Sequence, residues 1–441
     1  MAITPSRGDV ADRVLDAVWR MESPRLIATL TRLTRDVGLA EDVAQDAFLA
    51  AVQQWPESGV PDNPAAWLTA VAKRRAIDHI RRAATGQRKV EELGRDLQVA
   101  EEVAPEDEER VDDAVIGDDL LRLVFICCHP ILSVDARVAL TLRLLGGLRT
   151  DEIARAFLTS EATIQQRIVR AKRTLAEAHV PYEVPTGADF EARLASVLQV
   201  IYLVFNEGYS ATAGDDWVRP ALCEDALRLG RVLAGLVPDE PEVHGLVALM
   251  EIQASRMRVR TGPGGRPIPL LEQQRTRWDQ LLIRRGLAAL ARAEALGGAS
   301  GPYALQAAIA ACHARATTAD DTDWPRIVAL YDALAQLTPS PIVELNRAVA
   351  VGMAYGPAAG LEIADALRED PSLASYHLLP AVRADLLAKL DRQEEAAEEF
   401  ARAAAMTRNV PERTLLLERA AEATRRGVDD GGAGAGLTSR G

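Results

Sequence analysis

The chain has 441 residues, 48% hydrophobic but only 4% aromatic, with a formal net charge of −13. That length supports two to four domains, and a composition led by Ala and Leu favours helices, because both side chains lose little freedom in a helix. The opening MAITPSRGDVADR lacks a signal-peptide core, the apolar run Leu194 to Phe205 is too short to span a bilayer, and four cysteines make no disulfide framework; a soluble, cytoplasmic protein without a membrane partner is expected.

Residues 10–85 read as a compact helical module, with AEDVAQDAFLAAVQQW (40–55) and NPAAWLTAVAKRRAIDHIRR (63–82) separated by the polar break WPESGVPDNP. Residues 73–89 carry seven cations, among them Lys73, Arg74, Arg75, Arg81 and Arg82, against the single acid Asp78. The next stretch reverses the sign. Between 91 and 119 there are 13 acidic residues opposed by Arg95 and Arg110 alone, which leaves the remainder of the chain near neutrality. Overall acidity therefore does not exclude a nucleic-acid partner. Residues 86–113 have little hydrophobic periodicity and read as a flexible linker.

A second helical module is expected over 114–180. Its first helix ends in LLRLVFICCHP, where Cys127, Cys128 and His129 invite a metal or redox reading. Adjacent helical side chains point about 100° apart, so the two thiols cannot easily grip one tetrahedral ion. Buried packing is the better reading, with no metal and no cofactor. In GGLRTDEIARAFLTSEATIQQRIVRAKRTL (146–175), Thr150 is a candidate cap for one helix and Ser160 for the next, with FLTS as the turn. On the second helix Ile164, Ile168, Ala171 and Leu175 share one side. The other presents Ala162, Gln166, Val169, Arg170 and Arg173, with Gln165 at its edge, and Arg167 and Lys172 add charge. A basic, amide-bearing helix after a tight turn suits a major groove, where Gln and Arg read base edges and cations hold phosphates.

PYEVPTG (181–187) reads as a boundary, and a helical array follows from 189 to 426. Within it WPRIVALYDAL, PAAGLEIADAL and QEEAAEEFARAA place Tyr331, Ala364 and Phe400 at matching points, 33 and 36 residues apart. That period suits tetratricopeptide-like helix pairs, with Ala384, Leu387, Ala396, Phe400 and Ala403 at packing positions of the last pair. The Gly-rich tail 427–441 is expected to be disordered. The class is all-α: two small helical modules followed by a large helical-repeat domain.

Together these stretches resemble an RNA polymerase sigma factor of the extracytoplasmic-function (ECF) class, in the subgroup with a C-terminal tetratricopeptide-like extension. DVAQDAF is similar to region 2.2, and the resemblance implies that Asp42, Gln45, Asp46 and Phe48 contact the β′ clamp helices of core polymerase. Residues 63–82 are similar to regions 2.3 and 2.4. This implies −10 element contacts for Trp67, Lys73, Arg74, Arg75, His79, Arg81 and Arg82, although the residues alone make Trp67 a core aromatic. Arg74 stands where many relatives carry Asn. Residues 120–175 are similar to region 4, which binds the β flap and the −35 element, and imply −35 contacts for Thr163, Gln165, Gln166, Arg167, Val169, Arg170, Lys172 and Arg173. FNEGYSA, QQRTRWD, GPYALQAAIAACHA and SPIVELNRAVAV are similar to the subgroup's extension, for which a modulating role and a protein or peptide partner are expected.

Two other functional classes compete with this reading. A DNA-binding regulator acting without polymerase would need no clamp-binding helix. An enzyme in the C-terminal domain lacks a phosphate loop, a nucleophile elbow and a metal-spaced His/Cys set, and TGPGGRPIP (261–269) has no following Lys-Ser/Thr. The chain is therefore expected to catalyse nothing itself. It is expected to lend core polymerase a preference for −10 and −35 promoter DNA, with the acidic linker passing the basic RNA-exit path.

Overall fold

The computed structural model describes residues 7–86 and 113–435. The acidic stretch from 87 to 112 and the last six residues lie outside the described residues. The described chain is helical apart from two short strands and a few 3-10 turns. It divides into two compact units, one ending at Ile201 and the other beginning at Tyr202. The division falls within a helix rather than at PYEVPTG.

In the first unit, α1 (Arg7–Thr34), α2 (Val37–Ser58) and α3 (Pro64–Gly86) pack through small side chains. Leu26, Ile27 and Leu30 of α1, Val43, Ala44, Ala47 and Ala51 of α2 and Leu68, Ala72 and Ala76 of α3 are all buried. The i, i+4 spacing of Leu68, Ala72 and Ala76 puts them on one stripe, and alanine lets the helix axes approach. Asp36 starts α2 by accepting from the Gly38 and Leu39 amides at 2.6 and 3.0 Å.

The second module comprises α4 (Asp113–Cys127), α5 (Val134–Leu144), α6 (Thr150–Ala156) and α7 (Glu161–Glu177), and α8 (Ala188–Tyr209) begins on the same unit. Ser160 caps α7 as expected, accepting from the Thr163 amide at 3.1 Å. Thr150 does not cap α6. It is the first helical residue, and the Glu152 carboxylate instead reaches back to the Arg149 amide at 2.8 Å. The α6–α7 turn passes through Leu158 at φ +48°. Gly147 (φ +70°) lies against α1, where an added Cβ would come within 3.2 Å of Arg20 Cα.

The second unit continues with α9 (Pro220–Leu236), α10 (Pro241–Ala254), α11 (Gln280–Ala295) and α12 (Pro302–Arg315). Then come α13 (Trp324–Leu337), α14 (Pro341–Tyr355), α15 (Pro357–Ala366), α16 (Leu378–Lys389), α17 (Gln393–Met406) and α18 (Val410–Ala435). Tyr331, Ala364 and Phe400 lie on α13, α15 and α17, with α14 and α16 between them. Ala384, Leu387, Ala396, Phe400 and Ala403 are buried in one cluster. Gly360 lets α15 cross α14 closely, since a Cβ there would sit 2.5 Å from the Ala348 carbonyl oxygen. Helix α18 runs nine residues past Arg426, into the segment expected to be disordered. Strand β1 (Ala213–Gly214) pairs in parallel with β2 (Arg408–Asn409), and the Asn409 amide donates to the carbonyls of Ala211 and Asp216 at 3.1 and 2.8 Å.

Candidate nucleic-acid interface

Helix α7 buries Ile164, Ile168, Ala171 and Leu175, the stripe its spacing predicts. Gln165, Gln166, Val169, Arg170 and Arg173 are exposed on the remaining surface, Val169 at 57%. An apolar side chain held that far into solvent beside two amides and a guanidinium gives the helix a surface that can meet both base edges and a thymine methyl. The other cations are committed elsewhere. Arg167 pairs with Asp135 at 3.1 Å and Arg173 with Glu177 at 2.6 Å. Thr163 spends its hydroxyl on Ser160, 2.7 Å away. Arg170 alone of the four cations on α7 has no ion pair among the described residues.

Lys172 turns away from this face altogether. Its ammonium lies 2.5 Å from Glu41 and 4.0 Å from Asp42, both on α2. Glu41 is 2% exposed and also receives Arg143 from α5 at 2.6 Å and the Gln45 amide at 2.6 Å. Burial opposes the Glu41 carboxylate, yet the combined charge and hydrogen bonds of Lys172 and Arg143 outweigh it and hold its pKa below the usual carboxyl value. A second buried acid joins the modules nearby. Asp119 of α4 pairs with Arg32 of α1 and with Arg122, each at 2.9 Å. Here burial prevails over the two arginines and the pKa is raised. Tyr182, within the expected boundary segment, donates to the carbonyls of Ala28 and Asp119 at 2.7 and 2.8 Å. Neither Glu41 nor Tyr182 carries a local sequence signal for its burial, since the cations that pair with Glu41 and the carbonyls bonded to Tyr182 lie more than 60 residues away.

On α2, Asp42 and Asp46 are exposed beside Gln45, while Phe48 packs its ring 4.7 Å from Trp19. Trp67 on α3 stands edge-on to Trp55 at 5.4 Å and is half-buried. Arg74 and Arg81, seven residues apart, lie on one outward side of α3, with His79 and Arg82 also exposed and Lys73 half-buried. Arg75 is tied to α2, donating to the Asp46 carbonyl at 2.6 Å.

Cys127 and Cys128 are buried and unbridged. Burial pushes the Cys127 thiol well up and that of Cys128 to about 11, and Cys128 lies 3.4 Å from the Thr141 hydroxyl. Burial also lowers His129. Thiolate chemistry is disfavoured here, because the thiolate is the reactive form. No group of three potential metal ligands occurs among the described residues, and no helix among them is long and apolar enough to cross a membrane. The TGPGGRPIP segment forms a turn exposed at residues 263–266 and closed by a Thr261–Pro267 bridge.

Comparison with known proteins matches residues 18–85 to sigma-70 region 2, residues 122–175 to sigma-70 region 4, and residues 193–294 to a family of unknown function, DUF6596. The chain is 44% identical over 395 residues to the uncharacterized protein R00370 of Rhizobium meliloti (strain 1021), covering 89% of this chain and 92% of that one. It is 30% identical over 166 residues to the ECF RNA polymerase sigma factor SigK of Mycobacterium sp. (strain KMS), covering 36% of this chain and 81% of that one. To the probable ECF RNA polymerase sigma factor SigI of Mycobacterium tuberculosis (strain ATCC 25618 / H37Rv) it is 28% identical over 174 residues, 38% of this chain and 57% of that one. No solved structure matches. With both modules matched in order and four-fifths of SigK covered at this identity, the chain belongs to the ECF RNA polymerase sigma factors.

Proposed function

We propose that this protein binds core RNA polymerase through α2, opens and reads the −10 element with α3, and reads the −35 element with α7. The observation that carries the reading is the outward face of α7. Gln165, Gln166, Val169 and Arg170 are exposed together on a helix whose opposite stripe is fully buried. Asp42, Gln45 and Asp46 on α2 supply the polymerase contact, and Arg74 and Arg81 the positive strip that attracts promoter phosphates. The contact between α2 and α7 is a closed arrangement. Lys172 and Arg143 grip Glu41 on the same helix that offers Asp42 to polymerase. Productive engagement of α2 therefore requires the Glu41 clasp to yield. The tetratricopeptide-like C-terminal unit modulates that release and receives a protein or peptide partner.

Transcription with purified core polymerase on genomic promoter fragments tests the reading. Protein-dependent, discrete transcripts are expected from the full chain. Arg170→Ala costs about 1–3 kcal/mol of −35 binding, with relaxed preference at one base position. Absence of transcripts and of core-polymerase binding, alongside tight sequence-specific DNA binding, overturns it. A chain ending at Tyr209 keeps all of α8, whose Ser196 hydroxyl donates to the Cys128 carbonyl at 2.8 Å. Unchanged promoter-dependent output from that chain would remove the modulating role.

A further inference from the structure

The C-terminal unit buries three arginines side by side. Arg256, Arg260 and Arg275 are 8%, 9% and 8% exposed. The Arg260 guanidinium lies 3.7 Å from the centre of the Tyr209 ring and 5.5 Å from that of Trp217. Arg256 is 5.6 Å from both Tyr209 and Trp278, and Arg275 is 5.4 Å from Trp278. Arg275 has structural work, donating to the carbonyls of His313 and Ala316 and to the Thr322 hydroxyl. Arg256 has no hydrogen bond of that kind among the described residues, and Arg260 has only the Tyr209 hydroxyl. The Nε atoms of both, and the indole N–H of Trp278, are buried without a hydrogen-bond partner.

No carboxylate pairs with any of the three among the described residues, although the field of Asp321 reaches Arg275. Elsewhere in the same unit, buried charge is balanced. Glu251 is met by Arg231 at 2.8 Å and Arg285 at 3.7 Å, Glu207 by Arg219, and Arg383 by Asp365 at 2.8 Å and by Glu399. Aromatic faces attract a cation but do not cancel its charge, and three like charges out of water repel strongly. Burial and the charges of Arg256 and Arg275 push His313 down to about 3, so it stays neutral and adds no further positive charge.

We propose that this aromatic-walled cage is a binding site for a small oxyanion, a phosphate or carboxylate group, received by Arg256 and Arg260 with the Trp278 indole as a third donor. Guanidinium forks match such planar or tetrahedral oxygens, and the three unmet donors are those an anion would satisfy. All three arginines and Trp278 fall within residues 193–294, the stretch shared with the family of unknown function. The site does not depend on the promoter-binding reading.

Thermal unfolding of the full-length protein tests it, titrating sodium phosphate and, separately, sodium citrate against sodium chloride at matched ionic strength. A saturable rise is expected for one anion, reaching roughly 5–10 °C at a hundredfold excess over its Kd. The anion that acts at the lower concentration identifies the group as phosphate or carboxylate. Non-specific exclusion from the surface gives a rise without saturation. Arg260→Met and Arg256→Met remove the saturable rise and, in chloride alone, melt no lower than the wild type because a like charge is gone. Arg260→Lys keeps charge and fold but weakens the response at least tenfold in concentration. The proposal is overturned if wild type responds equally to all three salts, if saturation survives in Arg260→Lys, or if both Met variants melt several degrees lower in chloride.

Discussion

Two buried charged clusters, one in each unit, are built on opposite plans. In the first, the acid Glu41 is enclosed by Arg143 and Lys172, with Asp42 4.0 Å from Lys172 as a second acid, so the charges match and the Glu41 carboxylate is more comfortable ionised than in water. In the second, Arg256, Arg260 and Arg275 share aromatic walls and, among the described residues, pair with no acid. The same cost of desolvation applies to both, and only the first meets it from within the chain. A balanced cluster holds parts of a protein together, whereas an unbalanced one leaves its energy to be recovered from outside.

The contrast is broken most severely at Glu41. Glu41→Gln should lower the stability of the first unit by about 3 kcal/mol in urea unfolding at pH 7, because two mostly buried cations lose their counterion. The loss should be specific to neutral pH. Glu41 has a folded pKa below its ordinary value of about 4.5, so its contribution is fully present above that value and disappears as pH falls through the lower, folded one. Wild type and variant should therefore converge in acid. Arg260→Met, the corresponding change in the second cluster, should cost nothing or raise stability by about 1 kcal/mol. Equal losses at the two sites would erase the distinction.

Asp119 sharpens the comparison within the first unit. Its folded pKa is raised, so its contribution to stability grows as pH falls through that value, opposite in sign to Glu41. Asp119→Asn should stay within about 1 kcal/mol of wild type at pH 7 and lose ground to it on acidification. The smallest effect belongs to the exposed Arg173–Glu177 pair, where Arg173→Ala should leave the urea unfolding midpoint essentially unchanged.

Local periodicity made much of this fold legible. Ile164, Ile168, Ala171 and Leu175 announced the buried stripe of α7, and Ser160 its cap, because both depend on residues within one or two turns. The sequence also placed the outward amides and Arg170 correctly on the exposed face. It failed where partners are distant. Lys172 looked like one more cation on that face until α2 came within reach, and nothing near Glu41 marks it as buried. Thr150 was a plausible cap, but Arg149 holds the cap position and Thr150 is already helical, with the Glu152 carboxylate accepting from the Arg149 amide. The arginine cage was invisible for a related reason: its members lie on four separated segments and signal nothing until folded together.

The β1–β2 pairing fixes an order of events during synthesis. Ala211 cannot meet the Asn409 amide until 198 further residues have been made. At 5–20 residues per second that interval is roughly 10–40 s, long beside the milliseconds in which helical modules fold. Both sigma modules are therefore complete, and free to seek polymerase, well before the C-terminal unit can close its latch.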